Sequence, residues 1–126
     1  QGIIDCARAC LENHIPVGLG TDSGCPFITH YDMWRELVYF TRYCKVSPDF
    51  AIYTATRKNA EILGISDKTG TIEKGKTADF IVADENPLQN LKTLRNLRYV
   101  VAKGKVIENP RVKKNAVCER ELDKYL

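Results

Sequence analysis

The run Ile15-Pro16-Val17-Gly18-Leu19-Gly20-Thr21-Asp22-Ser23-Gly24 decides how this chain is read. Its first six residues are apolar or glycine, and one carboxylate, Asp22, follows among small polar residues. A strand buried on both faces reads as a near-continuous apolar run. Parallel barrels keep their chemistry at the C-terminal ends of such strands. The run therefore predicts a strand over 15–20 that delivers Asp22 to a barrel mouth. Standing alone, Asp22 reads equally well as an ordinary turn or cap aspartate.

Upstream, Ile3, Ile4, Ala7, Cys10 and Leu11 recur at helical spacing, Asn13-His14 marks the end, and Pro16 forbids continuation. Helix then strand is half of an alternating α/β unit. Downstream, residues 21–31 hold Gly24 and Pro26 and read as a loop. Asp32 is expected to cap a helix over Met33 to Cys44, with Trp34, Leu37, Val38, Thr41 and Cys44 on its buried face. Ser47-Pro48 starts another helix through Phe50, Ala51 and Tyr53-Thr54. Thr56 is expected to open a further helix through Ala60, Ile62 and Leu63, stopped by Gly64.

The pattern changes near Ile65. Asp67 to Gly70 is turn chemistry, Phe80-Ile81-Val82-Ala83 reads as a strand, and Asp84 to Pro87 as a turn. Arg98 to Ala102 and Lys105 to Ile107 flank Lys103-Gly104, a hairpin signal. Val117 to Leu126 is a short terminal helix or a frayed tail. The chain thus divides into an α/β segment over 1–64, β strands over 65–110 and a terminal segment over 111–126.

An apolar content of 44% and a charged content of 28% are ordinary for a globular chain. The net charge of +3 is scattered, with no basic stripe of the kind nucleic acid requires. No apolar run approaches the roughly 18 residues of a membrane span, and no secretory signal is visible. Five cysteines, an odd number at irregular spacing, argue against a disulfide framework and for a reduced, cytoplasmic setting. Cys6 and Cys10 could share a helix face, but core thiols are the expectation.

One parallel strand needs neighbours, because unpaired backbone groups are costly when buried. Residues 1–64 supply no second strand, and 126 residues cannot hold a barrel of about 250. The expectation is a piece of a longer protein that self-associates or swaps elements when alone.

Thr21-Asp22-Ser23-Gly24 after an apolar strand resembles the last barrel strand of the amidohydrolase superfamily. Ala55-Thr56, Asn59-Ala60, Leu63-Gly64, the run Gly70 to Asp79, Asn86-Pro87-Leu88 and Lys103-Gly104-Lys105-Val106 are similar to its C-terminal region. The nearest likeness is to the imidazolonepropionase-like and prolidase-like branch. The resemblance implies a metal-dependent hydrolase of C–N bonds in amides or cyclic amides. Its fold would be the last part of a (β/α)8 barrel followed by strands of a small β-sandwich. The implied cofactor is a divalent metal, zinc, as one or two ions in the full-length protein. Asp22 would bind it and handle the proton of the attacking water. His30, in the loop after Asp22, would face substrate or be a loop or capping histidine. The family's His-x-His has no counterpart here, so the chain alone is expected to be inactive. His14, before the strand, and Cys25, without a matched base, are expected to be structural. A non-catalytic binding or assembly module of the same fold is the alternative.

Gly70-Thr71-Ile72-Glu73-Lys74-Gly75-Lys76-Thr77 also satisfies the P-loop pattern. A P-loop follows a strand and opens a helix. Here a strand is predicted to follow, and Glu73 puts negative charge where phosphates would sit. A glycine-bracketed turn, with a short strand through Ile72 and a solvated Lys76, is the expectation.

Overall fold

The computed structural model describes residues 2–126. Helix α1 (Gly2–Glu12) leads into residues 15–31, which contain no regular element. Helix α2 (Met33–Cys44) follows, ending on Lys45 in the left-handed conformation. Helix α3 (Pro48–Tyr53), a π-helical turn (Thr54–Lys58) and α4 (Asn59–Ile62) run on without a break. Strand β1 (Phe80–Ala83), a 3-10 turn (Leu91–Arg95), β2 (Leu97–Ala102), β3 (Lys105–Glu108) and α5 (Ala116–Asp123) complete the chain.

The core lies between α2, α3 and the 3-10 turn. Leu37, Phe40, Ala51 and Leu91 are buried there, with Leu11, Val17, Leu19, Ile52 and Leu94 packed around them. Burying each large apolar side chain contributes about 1.5–3 kcal/mol before entropy is counted. Arg8 ties α1 to this layer by donating from Nε to the Tyr43 carbonyl, 2.9 Å away.

The three strands form one antiparallel sheet in the order β1-β2-β3. Phe80 pairs with Val101 and Val101 with Val106, and a bulge falls between Val82 and Ala83. The predicted hairpin is present. Lys103 (φ 50°) and Gly104 (φ 77°) both adopt left-handed φ, as the favoured two-residue turn demands. Asp79 fastens it by accepting from the Lys103 N–H at 2.7 Å. The Ser47 cap is also as expected, accepting from the Phe50 N–H, and Gly64 ends the helical run at φ 68°.

Several expectations are corrected. Residues 15–20 form no strand, because no described segment pairs with them. Only one side of the run is covered: Val17 and Leu19 pack on the core, while Pro16, Gly18 and Gly20, which alternate with them, are exposed. The Asp32 side chain does not cap α2, because Thr29, Trp34 and Arg35 occupy its oxygens. On α2 the buried residues are Trp34, Arg35, Leu37 and Phe40, and Thr41 is half-buried, its hydroxyl turned back to the Val38 carbonyl. Thr56 opens no new helix; it and Thr54 donate to carbonyls four residues back and ride within one continuous run. No strand passes through Ile72, which is 83% exposed. Lys76 is half-buried rather than solvated, its ammonium on the Thr71 hydroxyl. No cysteine is buried: Cys6 and Cys25 are exposed, the other three intermediate.

Candidate functional site

Asp22 follows Gly20-Thr21 with φ 50°. Aspartate is one of the few residues that enters the left-handed region readily. Its carboxylate is exposed and makes no hydrogen bond or ion pair with the described residues. The conformation turns the chain away from the apolar run and leaves the carboxylate open.

The run leading to Asp22 is held from the side by one residue. Asn59, directly after the π-helical turn, accepts from the Leu19 N–H at 2.9 Å and donates to the Leu19 carbonyl at 2.7 Å. A primary amide carries one acceptor and one donor group, so it can satisfy a peptide as a neighbouring strand would. Gly18 makes room for this, since a Cβ there would lie 2.7 Å from Asn59 Oδ1. The π-helical turn appears in the backbone itself: the Asn59 N–H reaches back to the Thr54 carbonyl. Such turns recur at functional positions. The sequence signal was Asn59 within the Ala55 to Gly64 motif, but nothing in the motif named Leu19 as its partner.

After Asp22, the loop closes on α2. The Thr29 hydroxyl donates to Asp32 Oδ2, and the Trp34 indole N–H donates to Asp32 Oδ1 at 3.1 Å. A cavity of about 140 Å³ lies beneath the loop, lined by Thr21, Phe27, Thr29, Glu36 and Tyr39 among others. Burial pushes the Glu36 carboxyl above its ordinary value. His30 is exposed, its ring edge-on to Tyr31 at 5.4 Å. His14 is exposed at the end of α1 with φ 56°, and Cys25 is exposed in the loop. A larger cavity of about 670 Å³ opens between the α4 region and the sheet, lined by Asn59, Leu63, Ile72, Phe80 and Val101 among others. It is mostly apolar, and neither Asp22 nor His30 lines it.

Among the described residues, no three His, Cys, Asp or Glu side chains converge on a point that could hold a metal. A catalytic zinc takes three protein ligands as a rule. Asp22 fits the part of one such ligand, being an open carboxylate, and the described residues do not make a complete centre. Among the described residues, no helix is long and apolar enough to cross a membrane.

A family model described as the amidohydrolase family matches residues 1–107. The imidazolonepropionase of Picrophilus torridus is 32% identical over 107 residues, which is 82% of this chain and 27% of that enzyme. A prolidase-like protein from Bifidobacterium longum superposes with a TM-score of 0.92 at 38% identity, covering 96% of this chain and 30% of its own. A zinc-bound adenosine deaminase from Xanthomonas campestris shares the fold, with a TM-score of 0.61 at 20% identity, over 94% of this chain and 32% of its own. The chain thus spans between a quarter and a third of the length of these relatives.

Proposed function

The chain belongs to the amidohydrolase family, and from that premise we propose that it is the C-terminal segment of a metal-dependent hydrolase of C–N bonds in amides or cyclic amides. In this reading residues 1–64 are the last part of a (β/α)8 barrel, and the unpaired run at 15–20 becomes its last strand only when a neighbouring strand from elsewhere pairs with it. Residues 65–110 supply strands of a small β-sandwich, and 111–126 form a terminal segment. Ile81 and Ile107, aligned across Val100 on one face of the three-stranded sheet, are exposed, which supports a second layer drawn from elsewhere. The same exposed residues support self-association of the chain by itself.

Asp22 is the proposed metal ligand and proton-handling group. The observation that carries this is its open carboxylate at the end of a run braced by Asn59. A bound divalent metal lowers the pKa of water toward about 7. The work of this chain is then a carboxylate that accepts the water proton at Oδ and returns it to the leaving nitrogen. The other ligands come from residues outside this sequence. His30, exposed in the same loop, is proposed to face substrate.

Asp22→Asn in the full-length protein tests the assignment. Asparagine also tolerates the left-handed conformation, so the turn is kept while the proton acceptor is lost. Turnover is expected to fall by about 10²–10⁴-fold, the usual worth of a general base. Turnover equal to the unmodified enzyme would reject the assignment.

A further inference from the structure

Helix α5 lies beyond the residues that the family model matches, yet it is docked through the most buried charge on the chain. Arg35 of α2 is 1% exposed. It meets Asp123 at 2.7 Å, Glu119 at 3.3 Å and, just before its own helix, Asp32 at 3.3 Å. Arg95 of the 3-10 turn reaches the same two α5 carboxylates at 2.7 and 3.1 Å. The Trp34 ring packs against both guanidinium groups, at 4.5 and 5.4 Å.

This network touches the loop that carries Asp22 and His30 by three routes. Arg35 holds Asp32, and Asp32 Oδ2 accepts from the Thr29 hydroxyl. The Asn115 N–H at the start of α5 donates to the Tyr31 hydroxyl at 3.0 Å. Leu122 closes the small cavity on which Thr21 also borders. A buried ion network is a poor source of net stability compared with apolar packing; its best-attested use is to fix one geometry among several. Arg35 Nε and Nη2 lie in ion-pair range of carboxylates without a hydrogen bond, and the buried Glu119 Oε1 receives no hydrogen bond. The arrangement thus combines charge-assisted hydrogen bonds, from Arg35 to Asp123 and from Arg95 to Glu119 and Asp123, with ion pairs set by charge placement alone.

We propose that α5 sets the conformation of the Asp22–Tyr31 loop, with Arg35 as a positioning residue acting through Asp32 and Thr29. The coupling stands on the contacts above; its consequence for turnover rests on the reading of Asp22 already proposed.

Hydrogen exchange in Asp123→Asn and Glu119→Gln tests the coupling. Both variants keep side-chain shape and leave Arg35 in place. The Ile28 and Asp32 amides, bonded within the loop to the Cys25 and Thr29 carbonyls, report on it. Their exchange is expected to quicken about tenfold or more, as loss of a charge-assisted bond allows, while β2 amides are unchanged. Tyr31→Phe, which removes only the Asn115 contact, should produce a smaller change at the same amides. Unchanged exchange at both amides, or an equal rise across β2, would overturn the coupling. In the full-length protein the same variants should lower kcat with KM held. Faster loop exchange with unaltered kcat would reject the Asp22 reading and leave the coupling standing.

Discussion

Asn59 binds Leu19 through both ends of its side-chain amide, accepting from the N–H at 2.9 Å and donating to the carbonyl at 2.7 Å. It thereby does for the Asp22 run what a neighbouring strand would do. Asn59→Ala strips both partners from a half-buried peptide and is expected to cost about 1–3 kcal/mol. Gly18→Ala drives a Cβ to 2.7 Å from Asn59 Oδ1 and should break the same pair. Because each change removes one interaction, the double variant should lose clearly less than the two singles together. Chemical denaturation midpoints of the four proteins measure this, and strict additivity would reject the pairing.

Gly70 sits against the helical run with φ 95°, and a Cβ there would lie 2.5 Å from Ala60 Cβ and 3.3 Å from Arg57 Cα. Gly75 has nearly the same φ, 94°, with nothing near its missing Cβ. Gly75→Ala should therefore carry the left-handed penalty alone, about 1–2 kcal/mol. Gly70→Ala should add an overpacking term of roughly 1–3 kcal/mol. Thermal unfolding of the two variants side by side separates backbone strain from contact. Equal losses would show that the Ala60 contact yields freely.

The contrast between these glycines marks what the sequence carries. Lys103-Gly104, Ser47-Pro48 and Gly64 act within a few residues, so their turn, cap and stop were readable from local chemistry. The Asn59–Leu19 pair spans 40 residues and the Arg35–Asp123 pair 88, and no local pattern announces either. Apolar spacing on α2 points to Thr41 and not to Arg35, since a buried arginine makes sense only once Glu119 and Asp123 are beside it. The run at 15–20 was readable as extended, but a strand exists only with a partner, and Asn59 is the partner found. Asp22 was legible as a position after that run. The rest of a metal centre is not formed by the described residues.

Acid should release α5 before it unfolds the core. Burial works to raise the Asp123 carboxyl, but hydrogen bonds from Arg35 and Arg95 outweigh it and hold the group below its ordinary value of 3.8. A depressed native pKa means that the stabilisation is present above pH 3.8 and is lost as pH falls through the native value. Trp34, the sole tryptophan, reports the event because Arg35 and Arg95 lie over its ring. Its emission should change below about pH 4, the ordinary aspartate range, while far-ultraviolet dichroism persists. Asp123→Asn should remove most of that pH dependence. An emission curve identical in the variant would show that another carboxylate governs the docking.

The P-loop pattern at Gly70 to Thr77 should bind no nucleotide. A phosphate cradle requires successive N–H groups at the opening of a helix, whereas Thr77 to Asp79 run without a helix into β1. Lys76 is already engaged, its ammonium on the Thr71 hydroxyl and 3.6 Å from Glu73. Glu73 is held below its ordinary value, first by the Thr71 hydroxyl and then by Lys76, so a negative charge persists at neutral pH where phosphates would have to sit. Calorimetric titration with ATP and magnesium is expected to give no saturable heat. Lys76→Ala should cost no more than about 1 kcal/mol, the worth of a partly exposed ion pair. Saturable binding abolished by Lys76→Ala would overturn this, because it would require the turn to reopen and a helix to form after Thr77, at the expense of the Asp79 bond that fastens the hairpin.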